Sequence, residues 1–273
     1  MTFKCIEFGD KEFATKEAMF DSLLKHEQDI IKLKKAAIQK SHEKGQPSVF
    51  ALKQSSEVKA AFDMKEGYFY PVINTTNYKD SHGDVHFPGI WDRSLKAQKG
   101  NIFYVLDHSL SIDKVVAWPN DVEAFVKTVP WSFVGKDYPG ETQALIYGID
   151  KRSIANDYAK SIIADKKPVQ NSIRMSYVKI FLGVNDSRPD FKEQKSYYDK
   201  RISEIANKEV AEADGFFWGI EEAKIEKEGS MVLFGSNDAT PIQYSEPAES
   251  TSEKTEESSK DTQPNKSYYS HFI

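Results

Sequence analysis

Cysteine is nearly absent from the 273-residue sequence, and long apolar runs are missing altogether. The single cysteine, Cys5, excludes an internal disulfide framework and a cysteine-rich zinc site, and it favours a reducing compartment. No run approaches the roughly 18 consecutive apolar residues that a transmembrane helix needs. The first 20 residues carry too many lysines and acidic residues for a signal peptide. We therefore expect neither membrane insertion nor secretion.

An excess of positive charge is also missing. Lysine and arginine total 37 against 42 acidic residues, which gives a formal net charge of -5. Proteins that bind nucleic acids generally need surplus lysine and arginine to contact phosphates, so this balance argues against such a partner. Hydrophobic residues make up 39% of the chain and charged residues 29%. That is enough for a core, but part of the length is expected to lie outside it.

The chain divides by composition into three zones, of which the first, residues 1–59, is a predicted helical arm. Thr15 is the predicted N-cap, and apolar residues then recur at helical spacing as far as Ile38. Gly45 and Pro47 are expected to end the helix. Its apolar stripe could pack on the main domain or bind a partner, and the pattern leaves both open.

The second zone, residues 60–244, is the predicted folded domain. Runs rich in β-branched and aromatic residues alternate with Gly, Pro and Asp, which is typical of short strands. These runs are 67–74, 101–106, 114–118, 122–129, 142–149, 172–182, 215–220 and 230–235. Helices are predicted only near 154–166 and 189–212. The fold class expected is α+β, with a mainly antiparallel β-barrel or strongly curved sheet flanked by helices.

The third zone, residues 245–273, is a predicted disordered, acidic tail rich in serine and glutamate. Residues 245–267 contain no Leu, Ile, Val, Phe or Met, so they cannot bury enough apolar surface to offset the entropy lost on ordering. The last residues, 268–273, are apolar again. They could form a docking peptide or an ordinary C-terminus.

Three histidines lie in positions where chemistry is conceivable. His82 and His86 have the spacing of a helical metal site, but Gly83 and the Phe87-Pro88-Gly89 run indicate a turn and a short strand instead. We therefore predict no metal site and no cofactor. His108 follows the apolar strand 102–106, where a polar side chain can face a cleft or serve a structural role.

A serine-bearing strand and a buried glutamate complete the candidates. Alternation along 171–180 places Ser172, Arg174 and Ser176 on one face of a strand. Such a serine becomes a nucleophile only if a histidine reaches it. Glu228 enters an otherwise apolar strand, and a buried carboxylate needs a partner, for which an imidazole N–H is well suited.

These segments, in this order, resemble the prohead proteases of tailed phages, capsid-maturation serine proteases distantly similar to the herpesvirus assemblins. The resemblance covers about residues 67–242. It consists of a Gly-Asp-x-x-x-Pro-Gly segment at 83–89, Asp107-His108 after an apolar strand, a serine strand at 172–175, a Glu-x-Ser-x-Val strand at 228–232, and the small-residue turn 235–237. Arg174 stands where the family usually has glycine, so the nucleophile is Ser172 or, as the fallback, Ser176.

The resemblance implies a herpesvirus-protease-like fold and a serine endopeptidase of the Ser-His-Glu type. Ser172 would attack the peptide carbonyl, His108 would move the proton, and Glu228 would orient the imidazole, with no metal or cofactor. The implied substrates are scaffold segments of the major capsid protein and the protease itself, inside the immature prohead in the host cell cytoplasm. The arm and the tail would then be tethers and self-cleavage sites, and a homo-oligomer is possible.

Two interpretations from other classes remain open at this point. One is a non-catalytic capsid scaffolding or assembly protein on the same fold, and the other is a β-barrel binding module in which His108 and Ser172 are structural. Self-shortening of the purified chain, absent from a Ser172→Ala variant, would distinguish the enzyme from both.

Overall fold

The computed structural model describes residues 2–9, 11–39 and 61–245, which form an α+β structure. Its α-helices are α1 Lys16–Lys25, α2 Glu27–Ala36, α3 Asp92–Gln98, α4 Asp157–Ala164, α5 Lys192–Arg201 and α6 Lys208–Asp214. Its strands are β1 Phe3–Lys4, β2 Glu12–Phe13, β3 Tyr68–Thr75, β4 Asp84–His86, β5 Phe103–Leu106, β6 Val115–Ala117, β7 Glu123–Pro130, β8 Glu141–Asp150, β9 Gln170–Val184, β10 Phe216–Val232 and β11 Ile242–Tyr244.

The strands form two main sheets and a small N-terminal pair. One sheet has the order β4-β10-β5-β6 with β9 also paired to β10, the other has the order β11-β3-β8-β7, and β1 pairs with β2. Among the described strands, only the pairings of β10 with β4 and with β5 are parallel. Most pairings are therefore antiparallel, as predicted, and the sheet that contains β10 is mixed. Of the two forms expected, a barrel or a strongly curved sheet, the barrel is wrong, because the sheets of the described ranges stay separate and do not close. Alternating burial could not decide this, since an open and a closed sheet both bury one face.

The N-terminal helices pack on the main core. The Thr15 side chain accepts the backbone N–H of Ala18 at 3.1 Å, which confirms the predicted N-cap. Apolar residues of α1 and α2 join the same buried cluster as both main sheets; they are Met19, Phe20, Leu23 and Ile30. The stripe therefore covers the chain's own domain.

The single long helix predicted for this arm is wrong in two respects. The helix breaks at His26, and it ends at Ala36 rather than near Gly45. It ends there because the chain turns to an extended backbone, and Gln39 exchanges backbone hydrogen bonds with Met175 of β9. These bonds replace those that a further helical turn would have made.

Two other predicted elements need correction. The helical region expected over 189–212 is divided into α5 and α6. The two strands expected at 215–220 and 230–235 are one strand, β10, which runs without interruption from Phe216 to Val232. The charged stretch between them had suggested surface chain. Residues 222–226 alternate between more and less buried positions, as one-sided strands do, and residues 228–230 are all buried.

The domain boundaries proposed at 59 and 244 stay predictions. The end of the predicted arm and the start of the next zone, residues 40–60, lie outside the described residues, as do 246–273 of the predicted disordered tail with its apolar tip. In the described ranges, no helix combines the length and the apolar character required to cross a bilayer.

Candidate active site

His108 lies on a strained turn at the end of β5. Asp107 and His108 both adopt positive φ, 50° and 54°, a region that residues with side chains rarely occupy and that costs free energy. The turn is held by Asp107 N–H donating to the Met231 carbonyl at 3.0 Å and Ser109 N–H donating to the Leu106 carbonyl at 2.9 Å. These bonds fix His108 beside β10.

Glu228 reaches the imidazole because β10 is bulged. Two extra residues separate Ile225 and Gly229 relative to their partners on β9, and Lys227 has a φ of 76°. Glu228 is fully buried, and its Oε1 lies 2.8 Å from Nδ1 of His108. Since a carboxylate only accepts, Nδ1 carries the hydrogen and Nε2 of a neutral ring is the basic nitrogen.

Ser172 is aligned with this pair through Ser230. The hydroxyl of Ser230 accepts the backbone N–H of His108 at 2.8 Å and donates to the Val105 carbonyl at 3.1 Å. Ser172 of β9 is the direct register partner of Ser230. Directly opposed residues of an antiparallel pair share a face, with Cβ atoms about 4.5–5.5 Å apart. Glu228, two residues before Ser230, faces the same side, so the sheet gathers all four residues on one face.

The fallback serine has different surroundings. Ser176 is the register partner of Lys224, and its hydroxyl donates to Glu226 at 2.6 Å. It lies four residues from Ser172, which is about 13 Å along a strand. Of the predicted site residues, the structure joins His108 to Glu228 directly, aligns Ser172 with them, and pairs Ser176 with another carboxylate.

The turn 235–237 has a structural part in the site. The Gly235 N–H donates to the Gln170 side chain at 2.6 Å, and the Asn237 amide donates to the Thr75 carbonyl at 3.0 Å. These bonds tie the start of β9, next to Ser172, to strand β3 of the other sheet. The turn therefore holds the serine strand in place.

The histidine pair 82 and 86 forms no helical metal site. His86 lies on β4 and His82 in the preceding turn, as predicted. Ligand atoms of Asp80, His82 and Asp84 do approach within 4.8 Å of one another. However, Asp84 already binds the Lys34 ammonium at 2.8 Å and the Tyr177 hydroxyl at 2.7 Å. We interpret this cluster as a buried ion pair that anchors α2.

Sequence reasoning missed a buried hydrogen-bond chain at His86. The Trp91 indole N–H donates to the Asn74 carbonyl oxygen at 3.2 Å, so the Asn74 amide nitrogen is the donor to Nδ1 of His86 at 2.8 Å. Nε2 of the neutral ring then carries the hydrogen. Burial is the main cause that lowers the pKa of His86, to about 4. No sequence motif indicates these hydrogen bonds, because they join residues from separate elements.

Lowering the pH should destabilise the protein because His86 is buried as a neutral ring. In the unfolded chain the imidazole of His86 has an ordinary pKa of about 6.5, which is above its value in the folded protein, so proton binding favours unfolding. The free energy of unfolding therefore falls as the pH decreases from about 6.5 to 4. Denaturant titrations at pH 7 and pH 4 measure the free energy of unfolding. Between these two pH values it should fall by about 3 kcal/mol more in the parent protein than in His86→Asn.

The neighbouring carboxyl group of Asp80 titrates over the same pH range, and its contribution cancels when the two proteins are compared. Burial raises the pKa of Asp80 to about 6, so its effect on stability has the opposite sign over the same range, and both proteins retain it. A pH-independent difference between His86→Asn and the parent protein would contradict the assignment of a neutral buried ring.

The described residues offer little volume beside the serine. A cavity of about 10 Å³, lined by Asn74, His86 and Ser172 among others, lies next to it, which is room for about one water molecule. A cleft of about 880 Å³ lies elsewhere and is lined by Tyr68 and Asp150 among others, but by none of the predicted site residues. A substrate at Ser172 would therefore bind along the sheet rather than inside a deep pocket.

Comparisons of the chain with protein-family models, with curated proteins and with solved structures give no match. The geometry of the site and the resemblance of its motifs are therefore the two grounds for a functional proposal.

Proposed function

We propose that the chain is a serine endopeptidase in which Ser172 is the nucleophile, His108 the general base and Glu228 the orienting carboxylate. The observation that carries the proposal is the buried 2.8 Å contact between His108 Nδ1 and Glu228 Oε1, on the same sheet face as Ser172. In this arrangement the carboxylate fixes the tautomer that makes Nε2 basic.

The proposed reaction is hydrolysis of a peptide bond by acyl transfer. Ser172 Oγ attacks the carbonyl carbon while His108 Nε2 takes its proton, and Glu228 stabilises the imidazolium. The C–N bond then breaks as His108 protonates the leaving amine. Water, deprotonated by His108, hydrolyses the ester and releases a carboxylic acid and the free serine. Each step uses only these side chains and water.

The energetic cost of the site favours a functional role. A buried ion pair is weak support for stability, because desolvation offsets much of its attraction. Two consecutive residues with positive φ at 107 and 108 add strain. A catalytic base requires both a fixed position and a fixed tautomer, and the turn and the carboxylate supply these for His108.

The biological role we propose is capsid maturation in a tailed phage. Its substrates would be scaffold segments of the major capsid protein and the chain itself, and it would act inside the immature prohead in the host cell cytoplasm. This part rests on the resemblance of the motifs at 83–89, 107–108, 172–175 and 228–232. The alternative, a non-catalytic scaffolding protein, would have no use for a base aligned with a serine.

Incubation of the purified chain tests the proposal. We expect the full-length protein to shorten itself, and Ser172→Ala to stay intact under the same conditions. Ser176→Ala is the matched control, since it lies on the same strand face and should still cleave. If Ser172→Ala still cleaves and Ser176→Ala does not, the nucleophile is Ser176. Cleavage that needs neither serine and stops with a chelator would refute a serine protease.

A further inference from the structure

Arg174 lies close to the proposed triad. It follows Ser172 by two residues on β9, and the alternation of a strand puts both side chains on one face, with their Cα atoms about 7 Å apart. The bulge of β10 at 226–228, which carries Glu228, lies opposite Arg174 in the pairing of the two strands. A substrate bound along the sheet at Ser172 therefore lies beside Arg174.

The charge of Arg174 has no direct partner. In the part of the chain that the structure describes, its guanidinium forms no salt bridge and no hydrogen bond. The carboxylate of Glu226, in the bulge, already accepts from Ser176 at 2.6 Å and from Lys224 at 3.0 Å. Burial opposes the ionisation of Glu226, but these two bonds lower its pKa, and Arg174 adds to the effect only from a distance. Arginine stays protonated, so this face presents an unpaired positive charge.

The position of Arg174 suits contact with a substrate. Its side chain is half-buried, which limits its rotamers and reduces the entropy that binding costs. An extended peptide advances about 3.3 Å per residue, so a residue about two positions from the scissile carbonyl comes opposite Arg174. Arg174 can therefore bind the substrate near the reacting bond without taking part in the proton transfers of His108.

We propose that Arg174 selects peptide substrates that carry a carboxylate within about two residues of the bond cut by Ser172. A carboxylate matches the guanidinium fork and accepts two parallel hydrogen bonds from it. The inference rests on the proposed function and adds the substrate class to it. The resemblance places glycine at this position, so it assigns no role to Arg174. The carboxylate is supplied either by an acidic side chain or by the C-terminus of the substrate.

Cleavage of random peptides tests the selection. The full-length chain is incubated with a mixture of random peptides whose ends are blocked, and the cut positions are read by mass spectrometry. We expect aspartate and glutamate to be enriched by about tenfold or more within two residues of the cut, and Arg174→Gln to abolish the enrichment. Arg93→Gln is the matched control, because it removes an exposed arginine that contacts Glu222 and should leave the enrichment unchanged.

A second mixture with free C-termini distinguishes the two sources. Acidic residues beside the cut in the blocked peptides assign the carboxylate to a side chain. Cuts that occur only near the ends of the unblocked peptides assign it to the C-terminus. Either result supports the proposal if Arg174→Gln abolishes it. Arg174→Glu should replace a preference for acidic residues with one for lysine and arginine, which a folding defect cannot produce.

The failure of this inference differs from the failure of the proposed function. Ser172-dependent cleavage without a preference for carboxylates, or with one that Arg174→Gln retains, would overturn the inference and leave the proposed function standing. If neither the peptides nor the chain itself is cut in a Ser172-dependent way, the proposed function is refuted.

Peptide capture tests the recognition without catalysis. The full-length Ser172→Ala chain is immobilised, the same peptide mixtures are passed over it, and the retained peptides are sequenced by mass spectrometry. We expect them to be enriched in carboxylates by about tenfold at low salt, and the enrichment to be lost in Ser172→Ala/Arg174→Gln. Retained peptides with no such enrichment, or with one that survives the loss of Arg174, would overturn the inference whatever the fate of the protease assignment.

Discussion

Alanine at Ser172 or at His108 should each lower the rate of self-cleavage by at least about 10⁴-fold, with the fold unchanged. Each substitution removes one member of a single proton-transfer unit. The double variant should therefore be no slower than either single variant, because the effects of such residues do not add. Quenched time courses of the full-length chain measure these rates, and near-ultraviolet circular dichroism checks the fold.

The orienting residue allows a finer comparison. Glu228→Gln keeps the size of the side chain but removes its negative charge, so it no longer stabilises a charged imidazole. We therefore expect a large loss of activity that stays smaller than that of Ser172→Ala. Glu226→Gln is its matched control, since Glu226 contacts Ser176 rather than His108. Additive losses in Ser172→Ala/His108→Ala, or an equal loss in Glu226→Gln, would contradict a triad of these residues.

Lys34→Met should destabilise the protein by about 3–5 kcal/mol, because it leaves a buried carboxylate without its counter-ion. Lys34 binds Asp84 at 2.8 Å and Glu7 at 3.4 Å, and its side chain is only 15% exposed. Although burial disfavours its charge, Asp84 and then Glu7 raise the pKa of Lys34 to about 12, so the ammonium is retained. Urea titration of the free energy of unfolding measures the loss.

Two variants control this experiment. Lys35→Met makes the same chemical change at an exposed neighbour on α2 and should alter stability by less than about 0.5 kcal/mol. Lys34→Met/Asp84→Asn removes both charges and should recover much of the loss. If Lys34→Met is as harmless as Lys35→Met, the ion pair does not anchor the N-terminal helices to the domain.

Local patterns predicted the parts of the fold that depend on neighbouring residues. Thr15 is an N-cap because its hydroxyl accepts a backbone N–H three residues ahead. Strand β8 is a run rich in apolar residues, and residues 144–149 are all buried, as in a strand paired on both sides. The local argument that a carboxylate in an apolar strand needs a buried donor indicated an imidazole partner for Glu228. That this partner is His108 was implied by the resemblance of the motifs, and the structure places the two side chains 2.8 Å apart.

Other features depend on residues that are distant in sequence. The parallel pairings of β10 with β4 and β5 join segments more than 100 residues apart, and no hydrophobic periodicity in the sequence predicts them. Gly229, next to the bulge, packs directly against the Tyr147 ring, where an added Cβ would come within 2.7 Å, so the position requires glycine. The helix ends at Ala36 because Gln39 finds a partner on β9. Each of these depends on tertiary contacts rather than on local propensity.

Covalent labelling of Ser172 tests the central claim most directly. The full-length chain is treated with a fluorophosphonate, which reacts with activated serines, and the modified peptide is identified by mass spectrometry. We predict one adduct, on Ser172, that is lost in His108→Ala and after denaturation, because only an adjacent base activates the hydroxyl. Labelling of Ser176 instead, or labelling of Ser172 that persists in His108→Ala, would contradict it.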